Sequence, residues 1–552
     1  MDAPLSALPF LDSTGKTCYH NPAILPDIAR LFVRSYMSLL TLIAFSCLCA
    51  GAYYLCPLRA RWGLLLCASY AFYASCGANA LPFILLTTLS TWGGALAIGR
   101  IAEKNKAAVR AGKDTLCAQE KKAMKAAARS RQRAVLLAVL LLNFLSLGVF
   151  KYLPPLANAL GKPLNLLLPL GISFYTFQSM GYLIDVYNGK YAPERNPAKL
   201  ALFVSFFPQL IQGPIGRYDA LAGQLTAPHR FDPDAFARGA VLMLWGFFKK
   251  KVIADRALPL VAAVFENQSA YGGAVIAVAV LFYSLQQYAD FSGGIDLVTG
   301  IAQLFGIELA PNFKRPYFSV SLGDFWRRWH ISLGAWMRDY VFYPFALTRP
   351  VTRLSKAAKA RLGADFGRAL PAALGNILVF LLVGVWHGAT ANYVLWGLYN
   401  GLILAASALL EPAYRRFSDG HRALVASRGF HLFRVLRTFL IVNIGWYFDR
   451  AARAGDAFSM LGKTLFAPGL SQIASGTLLT LGLTGYDFTV LAIATAILFA
   501  VSLLQERGVR VRERLFALPL PGRWAILLAF TLFVLCTFTL GTGSDGFMYA
   551  VF

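Results

Sequence analysis

The stretch LPAALGNILVFLLVGVW, residues 370–386, carries no charged side chain, and His387 follows it directly. A bilayer core is crossed by a helix of roughly 20 mainly apolar residues, so this stretch predicts a transmembrane helix. Comparable apolar runs recur at 31–55, 62–76, 81–99, 134–150, 164–186, 237–248, 272–288, 294–309, 391–410, 435–449, 488–504 and 523–542. Several runs are short or interrupted by glycine and proline, so we expect about eleven full spans.

The composition of the whole chain agrees with this interpretation. Of 552 residues, 57% are hydrophobic and only 14% are charged, whereas a soluble domain has about 45–50% apolar and about 25% charged residues. We therefore predict an all-α, polytopic integral membrane helical bundle. The apolar stretch 203–214 is broken by Pro208 and Pro214 and is typical of a re-entrant segment that lines a cavity. No cysteine or histidine spacing indicates a metal site, so none is expected.

The positive charge of the chain, +26 net, is concentrated between the apolar runs. The most basic segments are 100–133, 349–368, 412–437 and 505–523, whereas 454–487 holds a single lysine. The positive-inside rule places the basic segments in the cytoplasm and both chain termini outside. We also expect an amphipathic cytoplasmic helix over 100–133 and a positive-inside anchor at Lys249–Lys251. The surplus cations indicate contact with anionic membrane lipid, since no nucleic-acid-binding motif is present.

Two of the six histidines lie in tryptophan-rich apolar surroundings. His387 ends an apolar run, and an ionisable side chain at membrane depth usually faces a cavity or a partner. A neutral imidazole there can accept a proton, although a packed structural role is the alternative. His330 ends the block Gly-Asp-Phe-Trp-Arg-Arg-Trp-His, residues 323–330. That block marks either an interface belt or a polar funnel into the membrane.

A series of collinear motifs resembles the membrane-bound O-acyltransferase (MBOAT) family, and most of all its bacterial branch of alginate O-acetyltransferase and the D-alanyl transfer protein of teichoic acids. The match runs from about residue 58 to the end of the chain. The motifs are ISFYTFQ at 172–178, FPQLIQGPI at 207–215, FKK at 248–250, DFSG at 290–293, NFKRPY at 312–317, DFWRRWHISL at 324–333 and WHG at 386–388. The chain departs from the family at Ala289, where a phenylalanine is usual, and in the length of its basic insert at 349–368.

The resemblance implies a transmembrane enzyme with a central tunnel, to which the donor comes from the cytoplasm. The two family histidines correspond to His330 and His387, with His387 the catalytic base that takes a proton from an acceptor hydroxyl as it attacks a thioester. The expected tunnel residues are Asp290, Asp324, Trp326, Arg327, Arg328, Trp329 and Trp386. We expect no bound cofactor, with acetyl-CoA as donor substrate or an acyl carrier protein as the alternative.

The expected reaction is the transfer of an acyl group, with acetyl as the leading hypothesis, to a hydroxyl of an extracytoplasmic polysaccharide, directly or through a partner acyltransferase. We divide the chain into an N-terminal extension at 1–30, the MBOAT domain at 31–543 and an extracytoplasmic tail at 544–552. The expected location is the bacterial inner membrane. D-alanyl transfer to teichoic acid, a polysaccharide or lipid transporter, and a non-catalytic assembly subunit are the competing hypotheses.

The tail ends in Phe-Met-Tyr-Ala-Val-Phe, residues 547–552, and tails of this pattern are common in the branch that the chain resembles. The span count places it outside. Tyr549 is therefore a candidate for a transient acyl carrier at the outer mouth of the tunnel, alongside His387 and His330. Simple packing of an apolar C-terminus against the bundle is the alternative.

Overall fold

The protein is helical throughout the part of the chain that its computed structural model describes, residues 39–162, 164, 166 and 168–539. No strand occurs among these residues. The prediction of an all-α fold is confirmed. The N-terminal extension at 1–30 and the tail at 544–552 lie outside the described residues.

The first part of the bundle runs to the end of a long, buried helix. Its α-helices are α1 Leu39–Leu55, α2 Arg61–Ser75, α3 Leu81–Ala111, α4 Ala118–Ala159, α5 Ile172–Tyr187, α6 Pro197–Ser205, α7 Phe207–Gln212, α8 Tyr218–Thr226, α9 Pro233–Phe247, α10 Asp255–Glu266 and α11 Gly273–Leu304. A π-helical segment, π1 (Phe248–Ala254), joins α9 to α10.

The second part carries both candidate histidines. Its α-helices are α12 Leu322–Arg328, α13 Ile331–Met337, α14 Tyr343–Ala346, α15 Arg349–Leu362, α16 Ala364–His387, α17 Ala391–Leu409, α18 Glu411–Gly420, α19 Arg422–Ala426, α20 Arg428–Arg450, α21 Ala454–Phe466, α22 Leu470–Ala474, α23 Gly485–Glu506, α24 Val511–Phe516 and α25 Leu520–Thr537. A second π-helical segment, π2 (Arg338–Phe342), follows α13.

Six helices of the described residues are long and apolar enough to cross a membrane, or seven if the bent pair α17–α18 is one span. The six are those at Ala78–Ala111, Ala118–Asn158, Gly273–Leu304, Ala364–His387, Gly485–Glu506 and Leu520–Thr537. This number is smaller than the about eleven spans that we expected. The runs at 272–288 and 294–309 are one helix, and the run at 237–248 passes into π1 rather than spanning alone.

The basic segment 100–133 is not the single amphipathic helix that we expected. Helix α3 continues to Ala111, a turn follows, and α4 begins at Ala118 with a capping box between Cys117 and Glu120. The cations of this segment therefore lie around the turn of a helical hairpin that is formed by α3 and α4. Gly112 ends α3, and this break divides the charge pattern between two helices.

The broken apolar segment expected at 203–214 is present and buried. Helix α6 ends at Ser205, α7 occupies Phe207–Gln212, and the whole stretch from 202 to 216 is buried. Its irregular backbone is satisfied internally, because Gln209 Nε2 donates to the Pro214 carbonyl at 3.0 Å and Gly216 N donates to Gln178 Oε1 at 3.1 Å. Irregular backbone inside a membrane protein requires such internal partners.

Helices α9 and α11 approach each other through glycine. A Cβ on Gly246 would lie 2.5 Å from the Gly293 carbonyl oxygen, and one on Gly300 would lie 2.6 Å from the Gly239 carbonyl oxygen. The two contacts are seven residues apart on both helices, so the backbones meet twice along an antiparallel pair. Small residues permit this close approach of membrane helices.

The three lysines that follow α9 are buried, so the expected positive-inside anchor at Lys249–Lys251 is wrong. They are 3%, 3% and 7% exposed, and each ammonium pairs with a carboxylate. The pairs are Lys249–Asp296 at 2.6 Å, Lys250–Asp255 at 2.9 Å, Lys250–Asp290, and Lys251–Asp255 at 2.8 Å. Buried charges persist only when they are paired in this way, and the sequence alone does not show which acids fold onto them.

Candidate active site

His330 and His387 line the same cavity, of about 430 Å³. Its walls come from α12, α13, π2, α16 and α17, and they include the predicted tunnel residues Trp326, Arg327 and Trp329. Both histidines are buried, at 4% and 6% exposure. The fold thus brings two imidazoles that are 57 positions apart in sequence to one largely apolar chamber.

His330 is held by Asn312 in a left-handed backbone conformation, with φ of 47°. The Asn312 side-chain oxygen accepts from Ser332 N at 3.0 Å and from the Ser332 hydroxyl at 2.9 Å, and it lies 3.3 Å from His330 Nδ1. The backbone N–H of Ser332 can only donate, so the Asn312 atom that it contacts is the oxygen and acts as an acceptor. His330 Nδ1 must therefore be the donor in its own contact with this oxygen, and it carries the ring proton. The neutral ring then has its lone pair on Nε2.

The left-handed conformation of His330 is uncommon for a residue with a Cβ and is maintained only where surrounding contacts enforce it. Asn312 supplies these contacts, since its carbonyl also accepts from Ile331 N at 3.0 Å. Burial lowers the pKa of His330 to about 3. The ring is therefore neutral at ordinary pH, as a proton acceptor or hydrogen-bond partner requires.

His387 is the last residue of α16 and is enclosed by aromatic rings. Its ring centroid lies 5.1 Å from that of Trp396, 4.9 Å from Trp386 and 5.9 Å from Tyr393, which is stacked on it. Helices α16 and α17 can place these rings because they touch at glycine: a Cβ on Gly384 would lie 2.4 Å from the Tyr393 carbonyl oxygen. The imidazole is thereby fixed at the end of a rigid helix pair.

Trp386 packs against both histidines, with its ring centroid 6.3 Å from His330 and 4.9 Å from His387. Lys151 of α4 lies over the same indole, its ammonium 5.0 Å from the ring centroid. The neighbouring Tyr152 hydroxyl donates to the Val385 carbonyl at 2.7 Å and docks α4 on the end of α16. Sequence reasoning missed Lys151, although a lone cation inside an apolar run is the signal that finds such a residue.

The other predicted tunnel residues lie around the chamber and do not line it. Asp324 pairs with Arg328 at 3.2 Å, and Arg328 also reaches Glu506 at 2.9 Å. Asp290 is paired with Lys250. The remaining candidate, Tyr549, lies outside the described residues. Asn312 belongs to the motif NFKRPY, but its contact with His330 is tertiary and no spacing rule predicts it.

A family model described as MBOAT, membrane-bound O-acyltransferase family, matches residues 194–442. That region contains both histidines, Asn312 and every lining residue of the chamber except Trp446. The match therefore covers the part of the bundle in which the chamber is built.

Curated relatives extend the similarity over most of the chain. The chain is 34% identical over 468 residues to the probable alginate O-acetylase of Pseudomonas aeruginosa, and the match covers 82% of this chain and 79% of the relative. It is 32% identical to the peptidoglycan O-acetyltransferase of Helicobacter pylori, over 60% of this chain and 64% of that protein. The teichoic acid D-alanyltransferase of Bacillus subtilis is 28% identical over 52% of this chain and 69% of its own length.

Proposed function

Because the chain belongs to the membrane-bound O-acyltransferase family, we propose that it transfers an acetyl group from a cytoplasmic thioester to a hydroxyl outside the membrane, with His387 as the base. The observation that carries this proposal is the meeting of the buried side chains of His387 and His330 at one chamber. An acyl transfer enzyme needs a neutral base inside a space that excludes water, because water would compete with the acceptor hydroxyl.

The proposed step is an acyl transfer from sulfur to oxygen. His387 takes the proton of the acceptor hydroxyl as that oxygen attacks the thioester carbonyl, the carbon–sulfur bond breaks, and the thiolate leaves with the acquired proton. A positioned histidine contributes about 10²- to 10⁴-fold to such a step. His330 is neutral and oriented by Asn312, so its Nε2 serves as a hydrogen-bond acceptor for a reacting group in the same chamber.

Acetyl-CoA is the proposed donor, and an acyl carrier protein is the alternative suited to the basic segments of the chain. The proposed acceptor is an extracytoplasmic polysaccharide, reached directly or through a partner acyltransferase. Two of the relatives are named as O-acetylating enzymes of alginate and of peptidoglycan, which favours acetyl over D-alanyl as the group transferred. The bacterial inner membrane, with both termini outside, is the corresponding location.

Tyr549 remains a candidate acyl relay at the outer mouth. A Tyr549→Phe variant tests it directly: unchanged acylation of exported polysaccharide would remove the relay from the scheme.

The decisive experiment compares wild type with His387→Ala by the O-acetyl content of isolated envelope polysaccharide. His421→Ala is the matched control, because His421 is an exposed histidine between α18 and α19. We expect loss of acetylation in His387→Ala and wild-type acetylation in His421→Ala. Equal acetylation in all three proteins would favour a transporter or an assembly subunit over the enzyme.

A further inference from the structure

A second cavity, of about 700 Å³, lies on the other side of the segment that supports His330. It opens between α9, α11, α23 and α25 and is larger than the chamber of the histidines. Asn312 and Phe313 form part of its wall, and Phe313 packs against Trp329 with ring centroids 5.1 Å apart. Phe313 lines the second cavity and Trp329 lines the chamber, so this aromatic pair separates the two spaces.

One end of the second cavity is cationic. Among the described residues, its lining holds four cations, Lys249, Lys314, Arg315 and Arg512, against one carboxylate, Asp296. Asp296 is already paired with Lys249 at 2.6 Å. The remaining three cations line the cavity together with residues of the basic segment 505–523, to which Arg512 belongs, and an anionic group is the complement to this part of the lining, which we call the mouth.

Hydrogen bonds hold two of the mouth cations, Arg315 and Arg512, in place. Arg315 has the left-handed backbone conformation, with φ of 48°, and its Nε donates to Glu506 at 2.6 Å. Arg512 is held through a guanidinium donation to Gln303 Oε1 at 3.1 Å. Lys314 is exposed and pairs with no carboxylate among the described residues. Two cations are thus held by hydrogen bonds and a third is exposed, which suits capture of a phosphate.

The rest of the second cavity is apolar. Its wall is formed by Leu242, Trp245, Leu498, Val501, Leu527 and Phe530. Helices α23 and α25 are two of the six candidate spans. Only a minority of the residues in their apolar stretches are buried within the protein, so most of their surface is available to lipid. A long chain can therefore enter sideways between them without crossing water.

We propose that this cavity binds an anionic phospholipid, with its phosphate among Lys314, Arg315 and Arg512 and an acyl chain along the wall from Leu498 to Phe530. Basic pockets between membrane helices bind anionic lipid headgroups by this combination of charge and apolar surface. The cavity size falls in the range of small-molecule sites, about 300–1,000 Å³. A soluble phosphate compound would leave the apolar wall unused.

The test uses the full chain in nanodiscs, with bound lipid counted by native mass spectrometry. Discs are made with dioleoyl phosphatidylglycerol or with dioleoyl phosphatidylcholine. Removing the two mouth cations Lys314 and Arg512 in the variant Lys314→Gln/Arg512→Gln should lower phosphatidylglycerol retention about 25-fold, because each cation contributes about fivefold near an anionic headgroup. Lys359→Gln/Arg361→Gln, on the exposed face of α15, is the matched control and should retain wild-type binding.

A second variant tests the apolar wall. Val501→Trp fills the cavity while keeping every cation, and it should also lose phosphatidylglycerol. Glycerol 3-phosphate, which carries the phosphate without acyl chains, should fail to displace the lipid. Equal retention of the two lipids, undiminished binding by the mouth variant, or displacement by glycerol 3-phosphate would each overturn the proposal.

Discussion

Removal of the Asn312 side chain is the sharpest test of how the chamber is organised. Asn312→Ala deletes the one oxygen that accepts from Ser332 N, from the Ser332 hydroxyl and from His330 Nδ1. The Ser332 hydroxyl oxygen already accepts a hydrogen bond from Ile215 N at 3.1 Å, so its proton remains as a donor that needs an acceptor. The substitution therefore strands buried donors around His330.

The magnitude follows from these contacts. Each buried donor left without an acceptor costs about 1–3 kcal/mol. The two short contacts of 3.0 and 2.9 Å carry most of the effect, so we expect a loss of about 2–6 kcal/mol in the free energy of unfolding. For catalysis, release of the His330 ring permits displacements near 1 Å, which cost up to about 100-fold in rate, or about 2.7 kcal/mol.

The assay is the initial rate of thiol release from acetyl-CoA by protein in proteoliposomes, together with the O-acetyl content of the polysaccharide acceptor. Asn312→Asp is the informative partner variant, since it keeps an oxygen at the same position. Its carboxylate favours the charged form of His330 and so raises the pKa of the ring. If a neutral His330 is needed, the acid limb of the pH–rate profile moves to higher pH in Asn312→Asp.

Wild-type kcat in Asn312→Ala, combined with an unshifted pH profile in Asn312→Asp, would refute this reasoning. That result would mean that His330 is oriented by other contacts or takes no part in the reaction. A loss of stability without a change in kcat would limit Asn312 to a structural role.

Three further predictions concern the same chamber. Burial holds the pKa of His330 at about 3 in the native state, whereas in the unfolded chain the ring binds a proton at about pH 6.5. The free energy of unfolding should therefore be highest above about pH 6.5 and should decline as the pH falls towards 3. In His330→Gln the unfolding temperature should decline less steeply over the same range. Gly397→Ala should cost about 1–3 kcal/mol in unfolding measurements, because its Cβ would lie 2.4 Å from a carbonyl oxygen of the facing helix; Gly429→Ala, which meets nothing within 4 Å, is the control, and equal unfolding of the two would contradict the packing argument. Lys151→Met should lower the free energy of unfolding by about 1–2 kcal/mol, since a cation over a buried indole contributes about that much; an unchanged free energy of unfolding would contradict the contribution of this contact.

The sequence predicted the parts of this protein that depend on composition and on isolated unusual residues. His330 and His387 stand out because imidazoles are rare among tryptophans in apolar runs, and the fold brings both to one chamber. Hydropathy alone does not distinguish a membrane span from a buried segment, since it measures how apolar a run is and not whether the run faces lipid or protein. The short helices α6 and α7 and the segment π1 are buried by their neighbours instead.

Partners that are distant in sequence could not be predicted in the same way. The contact between Asn312 and His330 crosses the whole of α12, and the pairing of Lys250 with Asp290 joins residues forty positions apart. A lysine triplet at the end of an apolar run has the same appearance whether it meets lipid headgroups or buried aspartates. Only the packing of α9 on α11 decides between them.

That lysine triplet also constrains how the chain enters the membrane during synthesis. A lysine at the centre of a membrane helix costs about 2.5–3.5 kcal/mol. Asp255 of the same segment offsets part of this cost, because it pairs with Lys250 and Lys251. The neutralising Asp290 and Asp296 are made later, on α11. Lys249 and Lys250 therefore each pair with a carboxylate of a helix that is synthesised after them, so the buried state of the lysine triplet depends on α11.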